Sequence, residues 1–280
     1  MARDVLLKRV FSYLRSTMNI RKSCRLLGWG CVLLLWGASA QAQNALDTIL
    51  KNKKVTIAVP PDYPPYGSMG KDFQIQGLDV DVANYIGAKL GVAVNLVPVI
   101  SANRIPYLES KKADVVIATL GKNPEREKQI DFAAAYSPFF QAIFGGKTMQ
   151  VKGFADLAGK TVAVTKGSVE DTELRKLAPT SADIRSYEDN TKTVSAYVNG
   201  QVDLIAVGAS VAGNMMQQNP KVSTEFKLLL KDSPNYIGVA KGEDKLRLVI
   251  NGIIADARKN GDLDKMAIKW LGRPVGDLPQ

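Results

Sequence analysis

From residue 54 onward, short runs rich in β-branched residues alternate with longer segments in which apolar positions recur at helical spacing. Val115, Val116 and Ile117 form a continuous apolar run, which is typical of a strand buried on both faces of a parallel sheet. Gly91 ends one helical segment, and Pro124 stands in the first turn of another. The pattern predicts strands at residues 55–59, 93–99, 113–118, 161–164, 184–187, 202–207 and 237–240, and helices at 78–90, 105–111, 124–129, 154–157, 169–177, 191–199, 211–218, 244–260 and 262–271.

Repeated strand–helix units of this kind predict an α/β protein whose mostly parallel sheets are flanked by helices. The alternation breaks after the helix at 124–129 and restarts near residue 154, so two lobes are expected. Ligands of such folds bind near the carboxyl ends of the strands.

The amino-terminal residues have a different pattern, that of a secretory signal peptide. Residues 21–25 carry three basic side chains, residues 26–38 are apolar, and residues 40–42 read Ala-Gln-Ala. The apolar run is shorter than the ~20 residues that span a bilayer, and no later segment is long and apolar enough. We therefore expect residues 1–42 to be a signal peptide, with Met18 a plausible true start, and the mature chain to be secreted into the periplasm.

The net charge of +10 suggests a nucleic-acid partner, but its distribution argues against one. Residues 1–42 hold seven of the 37 Lys and Arg residues and one acid, which leaves 30 basic and 26 acidic residues in the remainder. That remainder has no basic block interleaved with aromatic residues, so no nucleic-acid partner is expected.

Cysteine and histidine usage narrows the possible chemistry. Cys24 and Cys31 both fall in the predicted signal peptide, so the mature chain is expected to lack disulfides. The sequence has no histidine, which excludes Ser-His and Cys-His catalysis and removes the commonest transition-metal ligand. It also has no phosphate-binding or dinucleotide-binding glycine motif, so no metal or other cofactor is expected.

Several segments, taken in order, resemble the polar amino-acid family of periplasmic binding proteins, which serve ABC importers. The resemblance covers nearly the whole mature chain, and the order and spacing of the segments make it specific. The segments are residues 63–66 (YPPY), 77–82 (GLDVDV), 104–108 (RIPYL), 123–126 (NPER), 130–132 (IDF), 159–164 (GKTVAV), 199–203 (NGQVD) and 269–272 (KWLG).

The resemblance implies a two-lobed periplasmic-binding-protein type II fold with a two-segment hinge, in which closure of the lobes traps the ligand. Lobe one is expected to comprise residues 44–137 plus 235–280, and lobe two residues 138–234. The expected partners are an amino acid or related carboxylate and the membrane permease of the importer, and the protein is expected to be a monomer.

The resemblance also assigns residues to the binding site. Arg126 matches the arginine that grips the ligand's α-carboxylate, which suits a guanidinium because it forms two parallel charge-assisted bonds. Ala118, Thr119 and Gly121 fall in the stretch that supplies hydroxyl and N–H groups to the same carboxylate. Since Ala118 and Gly121 lack hydroxyls, backbone N–H groups and Thr119 would have to serve.

Other candidates lie on neighbouring loops. Tyr63 and Tyr66 occupy positions of family aromatic residues that cover the ligand, although the two rings could equally pack a proline turn. Ser168 and Val169 begin a helix whose N–H groups are expected to face the ligand, and Ser168 is equally a plain N-cap. Asn103 and Arg104 border the expected pocket. If Arg104 lies in the pocket, this second cation would suit an acidic ligand. If Arg104 lies on the surface, it indicates nothing about the ligand.

One departure from the family concerns the ligand's α-ammonium. Relatives have an aspartate for that group where this chain has Gly208. A buried ammonium without a counter-charge costs several kcal/mol. Either another acid substitutes, with Glu170 the first choice ahead of Asp171 and Asp62, or the ligand lacks an α-ammonium.

Two other classes of protein resemble the same family. Secreted cyclohexadienyl or arogenate dehydratases need a general acid in the cleft, and a carboxyl group with a raised pKa, such as that of Glu170, could serve. A receptor's sensory module is disfavoured because no segment after residue 42 could span a membrane. We therefore expect a binding protein and not an enzyme.

Overall fold

The seven predicted strands and three others assemble into two five-stranded sheets in a computed structural model that describes residues 44–279. The predicted signal peptide and the predicted start at Met18 fall outside the described residues. The strands are β1 (Lys54–Val59), β2 (Asp62–Tyr63), β3 (Gly67–Met69), β4 (Ile75–Gln76), β5 (Ala93–Pro98), β6 (Val115–Gly121), β7 (Ile130–Ser137), β8 (Phe140–Gly145), β9 (Thr161–Thr165), β10 (Asp183–Tyr187), β11 (Leu204–Gly208), β12 (Glu225–Asp232) and β13 (Asn235–Ala240).

Helices cover both sheets, and all the α-helices after the first one begin within a few residues of predicted positions. The α-helices are α1 (Ala45–Asn52), α2 (Leu78–Leu90), α3 (Arg104–Glu109), α4 (Pro124–Glu127), α5 (Val169–Leu177), α6 (Asn190–Val198), α7 (Ala209–Gln218), α8 (Asp244–Lys259) and α9 (Asp262–Leu271). Short 3-10 helices occupy Ser101–Asn103 and Phe154–Leu157. No helix between residues 44 and 279 is both long and apolar enough to cross a membrane.

Each sheet combines parallel and antiparallel pairs. In the first sheet, of order β5-β1-β6-β13-β7, β1 runs parallel to β5 and β6, while β13 runs antiparallel to β6 and β7. In the second, of order β10-β9-β11-β8-β12, β9 runs parallel to β10 and β11, while β8 runs antiparallel to β11 and β12. The α/β class and the two lobes are confirmed. Strands β8 and β13, which run antiparallel to their neighbours, are the first strands after each passage of the chain between the lobes.

The chain passes from the first sheet to the second between Ser137 and Phe140, and it returns between Asp232 and Asn235. Both connections are short, so the two lobes face each other across a narrow cleft. The carboxyl ends of β6 and β9, and the helices that follow them, lead into this cleft. Residues of both lobes therefore meet in this cleft.

Several elements escaped the sequence pattern. Helix α1, the three-stranded sheet β2-β3-β4 and strands β7, β8 and β12 were not predicted. Strand β12 is mostly exposed or half-buried, so it lacks a clear apolar face. Strands β2 and β4 have two residues each, which is too short for any periodicity to show.

Candidate functional site

A small cavity lies between the two lobes, and both lobes line it. The segments of the first sheet contribute Tyr63, Ser101, Arg104 and Thr119, and those of the second contribute Phe139, Gln141, Ser168, Val169, Glu170 and Asn190. The cavity has a volume of about 10 Å³, which is room for one water molecule. The lobes are thus closed on each other, and they must part before any larger molecule can enter.

Six of the predicted site residues line this cavity: Tyr63, Arg104, Thr119, Ser168, Val169 and Glu170. Six others do not line it: Tyr66, Asn103, Ala118, Gly121, Arg126 and Gly208. The second set lies immediately around the first, and several of its members hold the lobes together.

Glu170 is the acid of the cavity. It is 5% exposed on the first turn of α5, and its Oε1 accepts a hydrogen bond of 3.2 Å from the Tyr63 hydroxyl. Burial raises the pKa of Glu170, and the nearby charge of Arg104 acts in the opposite direction. Burial and Glu170 together raise the pKa of Tyr63 well above its usual value, so the phenol stays a hydrogen-bond donor.

Arg104 is the cation of the cavity, and its guanidinium is incompletely paired. It is 3% exposed, and its Nη1 donates one long hydrogen bond of 3.4 Å to the Thr119 carbonyl. Its Nε has no hydrogen-bond partner in the described part of the chain. Among those same residues it forms no ion pair, so Glu170 lies beyond direct contact.

Arg126 bridges the lobes through backbone carbonyls. Its Nη1 donates to Gly121 O at 2.7 Å, and its Nη2 donates across the cleft to Gly167 O at 2.9 Å. Asn123 caps α4 by accepting from the Arg126 N–H, which fixes the start of this helix. Burial and, to a lesser extent, the charge of Arg104 lower the pKa of Arg126 to about 10, although the charge of Glu170 acts in the opposite direction.

Glycines let the backbones approach closely beside Arg126. A Cβ on Gly121 would lie 2.6 Å from Cγ2 of Val169, in the opposite lobe. Gly167 has a φ of +75°, and a Cβ there would lie 2.9 Å from the Cα of Ala102. Side chains at either glycine would force the lobes apart, so closure depends on both.

Thr119 turns its N–H away from the cavity. Its φ of +43° is unusual for a β-branched residue, and its N–H donates to Asp79 Oδ2 at 3.0 Å and to the Tyr136 hydroxyl at 3.2 Å. The Tyr136 hydroxyl in turn donates to Asp79 Oδ1 at 2.7 Å. Burial raises the pKa of Asp79 to about 8. The Thr119 N–H is thus occupied within the protein, while its carbonyl faces Arg104.

Aromatic rings fill the space beside Gly208. The Phe139 ring packs against Tyr66 in an edge-on arrangement with centroids 5.4 Å apart, and against Tyr63 at 6.3 Å. The Gly208 N–H donates to the Tyr63 hydroxyl at 3.0 Å, and a Cβ on Gly208 would overlap the Phe139 ring. The Tyr66 hydroxyl reaches Ser210 at 3.4 Å. Gly208 therefore belongs to an apolar contact between the lobes.

A further polar bridge crosses the cleft. The Asn190 N–H and side-chain amide donate to the two carboxylate oxygens of Asp62, at 2.7 and 3.1 Å. Asp62 was one of the acids considered as a partner for a ligand's ammonium, and here it bonds to the start of α6. Ser168 is the N-cap of α5 and also lines the cavity, so both of its predicted roles coincide.

Sequence reasoning missed four residues of the cavity wall. Ser101, Phe139, Gln141 and Asn190 carry no motif, and Gln141 lies in the unpredicted strand β8. The one available signal was the Asp189-Asn190 pair, which marks the start of α6. Of the remaining candidates, Asn103 is half-buried at the end of a 3-10 helix, and Ala118 is buried within β6.

Known proteins are similar to this chain in sequence and in fold. The L-cystine-binding protein TcyJ of Escherichia coli (strain K12) is 26% identical over 255 residues, which cover 89% of this chain and 96% of that protein. The crystal structure of a cysteine-binding protein from Campylobacter jejuni aligns with a TM-score of 0.77 at 26% identity, over 81% of this chain and 93% of that one. An ancestral amino-acid-binding protein, a precursor of cyclohexadienyl dehydratase, aligns with a TM-score of 0.74 at 29% identity, over 80% of this chain and 98% of that one.

These alignments span both sheets, which confirms the predicted type II periplasmic-binding-protein fold. A family model described as bacterial extracellular solute-binding proteins, family 3, matches residues 55–273. The match runs from β1 to just beyond α9 and includes every residue of the cavity wall. The chain belongs to the bacterial extracellular solute-binding proteins of family 3.

Proposed function

We propose that this chain is the substrate-binding component of an ABC importer and that it captures a small amino acid or a related carboxylate by closing its lobes. The observation that carries the proposal is the cavity between the lobes, with the opposite charges of Arg104 and Glu170 buried in its wall. The named ligands of relatives, which include L-cystine, agree with such a class of solute.

The two charges suit a zwitterion. A guanidinium can bind a carboxylate through two parallel hydrogen bonds, and the free Nε of Arg104 leaves one edge of its guanidinium available. Glu170 can accept from an ammonium group, and it stands on the lobe opposite Arg104. Closure excludes water, which strengthens both interactions. Arg126, Asp62 and the aromatic contacts would then hold the lobes closed.

The proposal is tested by a thermal-shift screen of the purified protein against amino acids, amino-acid derivatives and organic acids, followed by calorimetry of the hits. A ligand of the folded state alone stabilises the protein by RT ln(1 + [L]/Kd), or about 2.7 kcal/mol at a concentration of 100 Kd. Glu170→Gln should abolish the shift given by an amino acid. Exposed Glu109→Gln is the matched control and should leave the shift unchanged. A screen in which no amino acid or carboxylate raises the melting temperature would refute the proposal.

The same proposal places the mature protein in the periplasm as a monomer that delivers its ligand to a membrane permease. The predicted signal peptide and the family membership support this location. Lobe one (residues 44–137 plus 235–280) and lobe two (138–234) are proposed as the bodies that move. Mass spectrometry of the periplasmic fraction should find a mature amino terminus at or close to Gln43.

One observation favours a second candidate, a dehydratase. Glu170 is buried in the cavity, and its raised pKa keeps more of it protonated than an exposed glutamate, as a general acid requires. The structural relative described as a precursor of cyclohexadienyl dehydratase has the same fold. Turnover of prephenate or arogenate that is lost in Glu170→Gln would establish this activity.

A further inference from the structure

We propose that the preferred ligand is a dicarboxylic amino acid, which carries two carboxylates and one ammonium and hence a net charge of −1. This inference rests on the proposed function and narrows its ligand class. It follows from the balance of buried charges around the cavity, in which one positive charge has no counter-charge.

Three ionisable side chains with opposing charges are buried at the site. Arg104 is 3% exposed, Arg126 is 8% exposed and Glu170 is 5% exposed. Arg104 and Glu170 line the same cavity, and Arg126 bonds to Gly167, three residues before Glu170. Two guanidinium groups and one carboxylate leave a net charge of +1. A bound zwitterion would leave this excess unchanged, whereas a dicarboxylic amino acid would neutralise it.

The two neighbouring acids, Asp79 and Asp62, do not line the cavity. Asp79 already binds the Tyr136 hydroxyl and the Thr119 N–H, and its pKa of about 8 leaves it mostly uncharged at neutral pH. Asp62 keeps its charge, but it is half-buried and both of its carboxylate oxygens bind Asn190. The remaining ionisable group of the cavity wall, Tyr63, is a neutral phenol.

Of the two arginines, Arg104 is the one whose guanidinium has an unused hydrogen-bond donor. Arg126 donates to one carbonyl in each lobe, so it is hydrogen-bonded although its charge is not neutralised. Arg104 has one long bond through Nη1 and none through Nε, and it lines the cavity. A buried guanidinium left in this state is costly, and a ligand carboxylate is the group that fits its planar fork. We therefore assign one ligand carboxylate to Arg104, and the second carboxylate offsets the charge of Arg126.

The ligand pairs glutamate–glutamine and aspartate–asparagine provide the test, because each pair differs in charge and hardly in shape. Calorimetry on the unmodified protein should show at least tenfold tighter binding of one of the two acids than of its amide. Arg104→Gln should weaken binding of both ligands of a pair, but, because it removes the excess positive charge, it should also remove the preference for the acid. Arg104→Lys should keep part of it, because the charge remains without the fork. Exposed Arg175→Gln is the matched control and should keep all of it.

Equal or tighter binding of both amides by the unmodified protein would overturn the inference, as would binding of neutral amino acids alone. Neither result would affect the proposed function, which requires only that an amino acid or carboxylate binds. Failure of every amino acid and carboxylate to bind would instead refute the proposed function. The comparison of acid with amide needs no variant, so an unstable Arg104 variant would not prevent the test.

Discussion

Replacing Gly208 with alanine should destabilise the protein, although the backbone there would accept a side chain. Gly208 has a φ of −64°, and at an unstrained position a change from glycine to alanine stabilises by about 0.4–1 kcal/mol. A Cβ on Gly208, however, would lie 3.0 Å from Cε1 of Phe139 and closer still to Cε2 and Cζ. Carbon atoms pack at about 3.5–4.0 Å, so the ring would have to move.

The Phe139 ring has little freedom to move. It is 3% exposed and packs between Tyr63, Tyr66 and Gly208. Overpacking of this kind costs about 1–3 kcal/mol, which exceeds the entropic gain, so Gly208→Ala should lose about 1–2 kcal/mol. Gly208→Asp should lose more, because it also buries a carboxylate next to an aromatic ring. An aspartate introduced at this position to bind an ammonium should therefore destabilise the closed lobes.

Thermal unfolding measures this cost. A loss of 1–2 kcal/mol corresponds to a fall of about 2–8 °C in melting temperature for a domain of this size. Gly213→Ala is the matched control: it lies in helix α7 with open space around it, and it should raise the melting temperature. The variant Phe139→Leu lacks all three ring atoms that the new Cβ would meet, so Gly208→Ala should cost less in that background. An equal cost in both backgrounds, or a stable Gly208→Ala, would refute this account.

Two further predictions concern Arg126 and Asp79. Arg126→Ala should weaken ligand binding by about 2–5 kcal/mol. Arg126→Lys should recover only part of that loss, because an ammonium cannot bond to Gly121 and Gly167 with the geometry of a guanidinium. Unchanged affinity in calorimetry of folded Arg126→Ala would contradict the role of Arg126 in holding the lobes closed on the ligand. Folding raises the pKa of Asp79 from 3.8 to about 8, so the folded state holds a proton that the unfolded state releases, and stability should fall as the pH rises from about 4 to 8. The free energy of unfolding, measured at pH 5 and pH 8, should fall less in Asp79→Asn than in the unmodified protein. Exposed Glu109→Gln should show the same fall as the unmodified protein. An equal fall in the unmodified protein and both variants would exclude Asp79 as its source.

The sequence predicted best the elements whose burial is uniform. Strand β6 is buried at every position, and its apolar run identified it directly. Strand β7 mixes buried and half-buried residues, and β12 faces solvent along most of its length, so neither shows a simple period. Their positions are set by pairing with β13 and β8, which are distant in sequence.

The site was predictable where a motif marked it. Glu170, Ser168 and Val169 follow a glycine at a helix start, and Tyr63 stands in a proline-rich loop, so all four could be found without a structure. Phe139 could not, because its meaning depends on Gly208, to which no pattern in the sequence connects it. The hydrogen bonds from Arg126 to two backbone carbonyls could not be predicted either, because every residue has a carbonyl and no sequence pattern marks the acceptor.

The position of β13 has a consequence for the order in which the chain can fold. This strand lies between β6 and β7 in the first sheet and pairs with both, yet it follows the entire second sheet in sequence. Every strand of the second sheet, by contrast, lies within residues 140–232. The second sheet can therefore form while β6 and β7 still have unpaired edges, and contacts so distant in sequence form slowly. Until residues 235–240 insert, those unpaired edges are free to pair with other chains. The folding intermediate that lacks β13 is therefore the species most prone to aggregation.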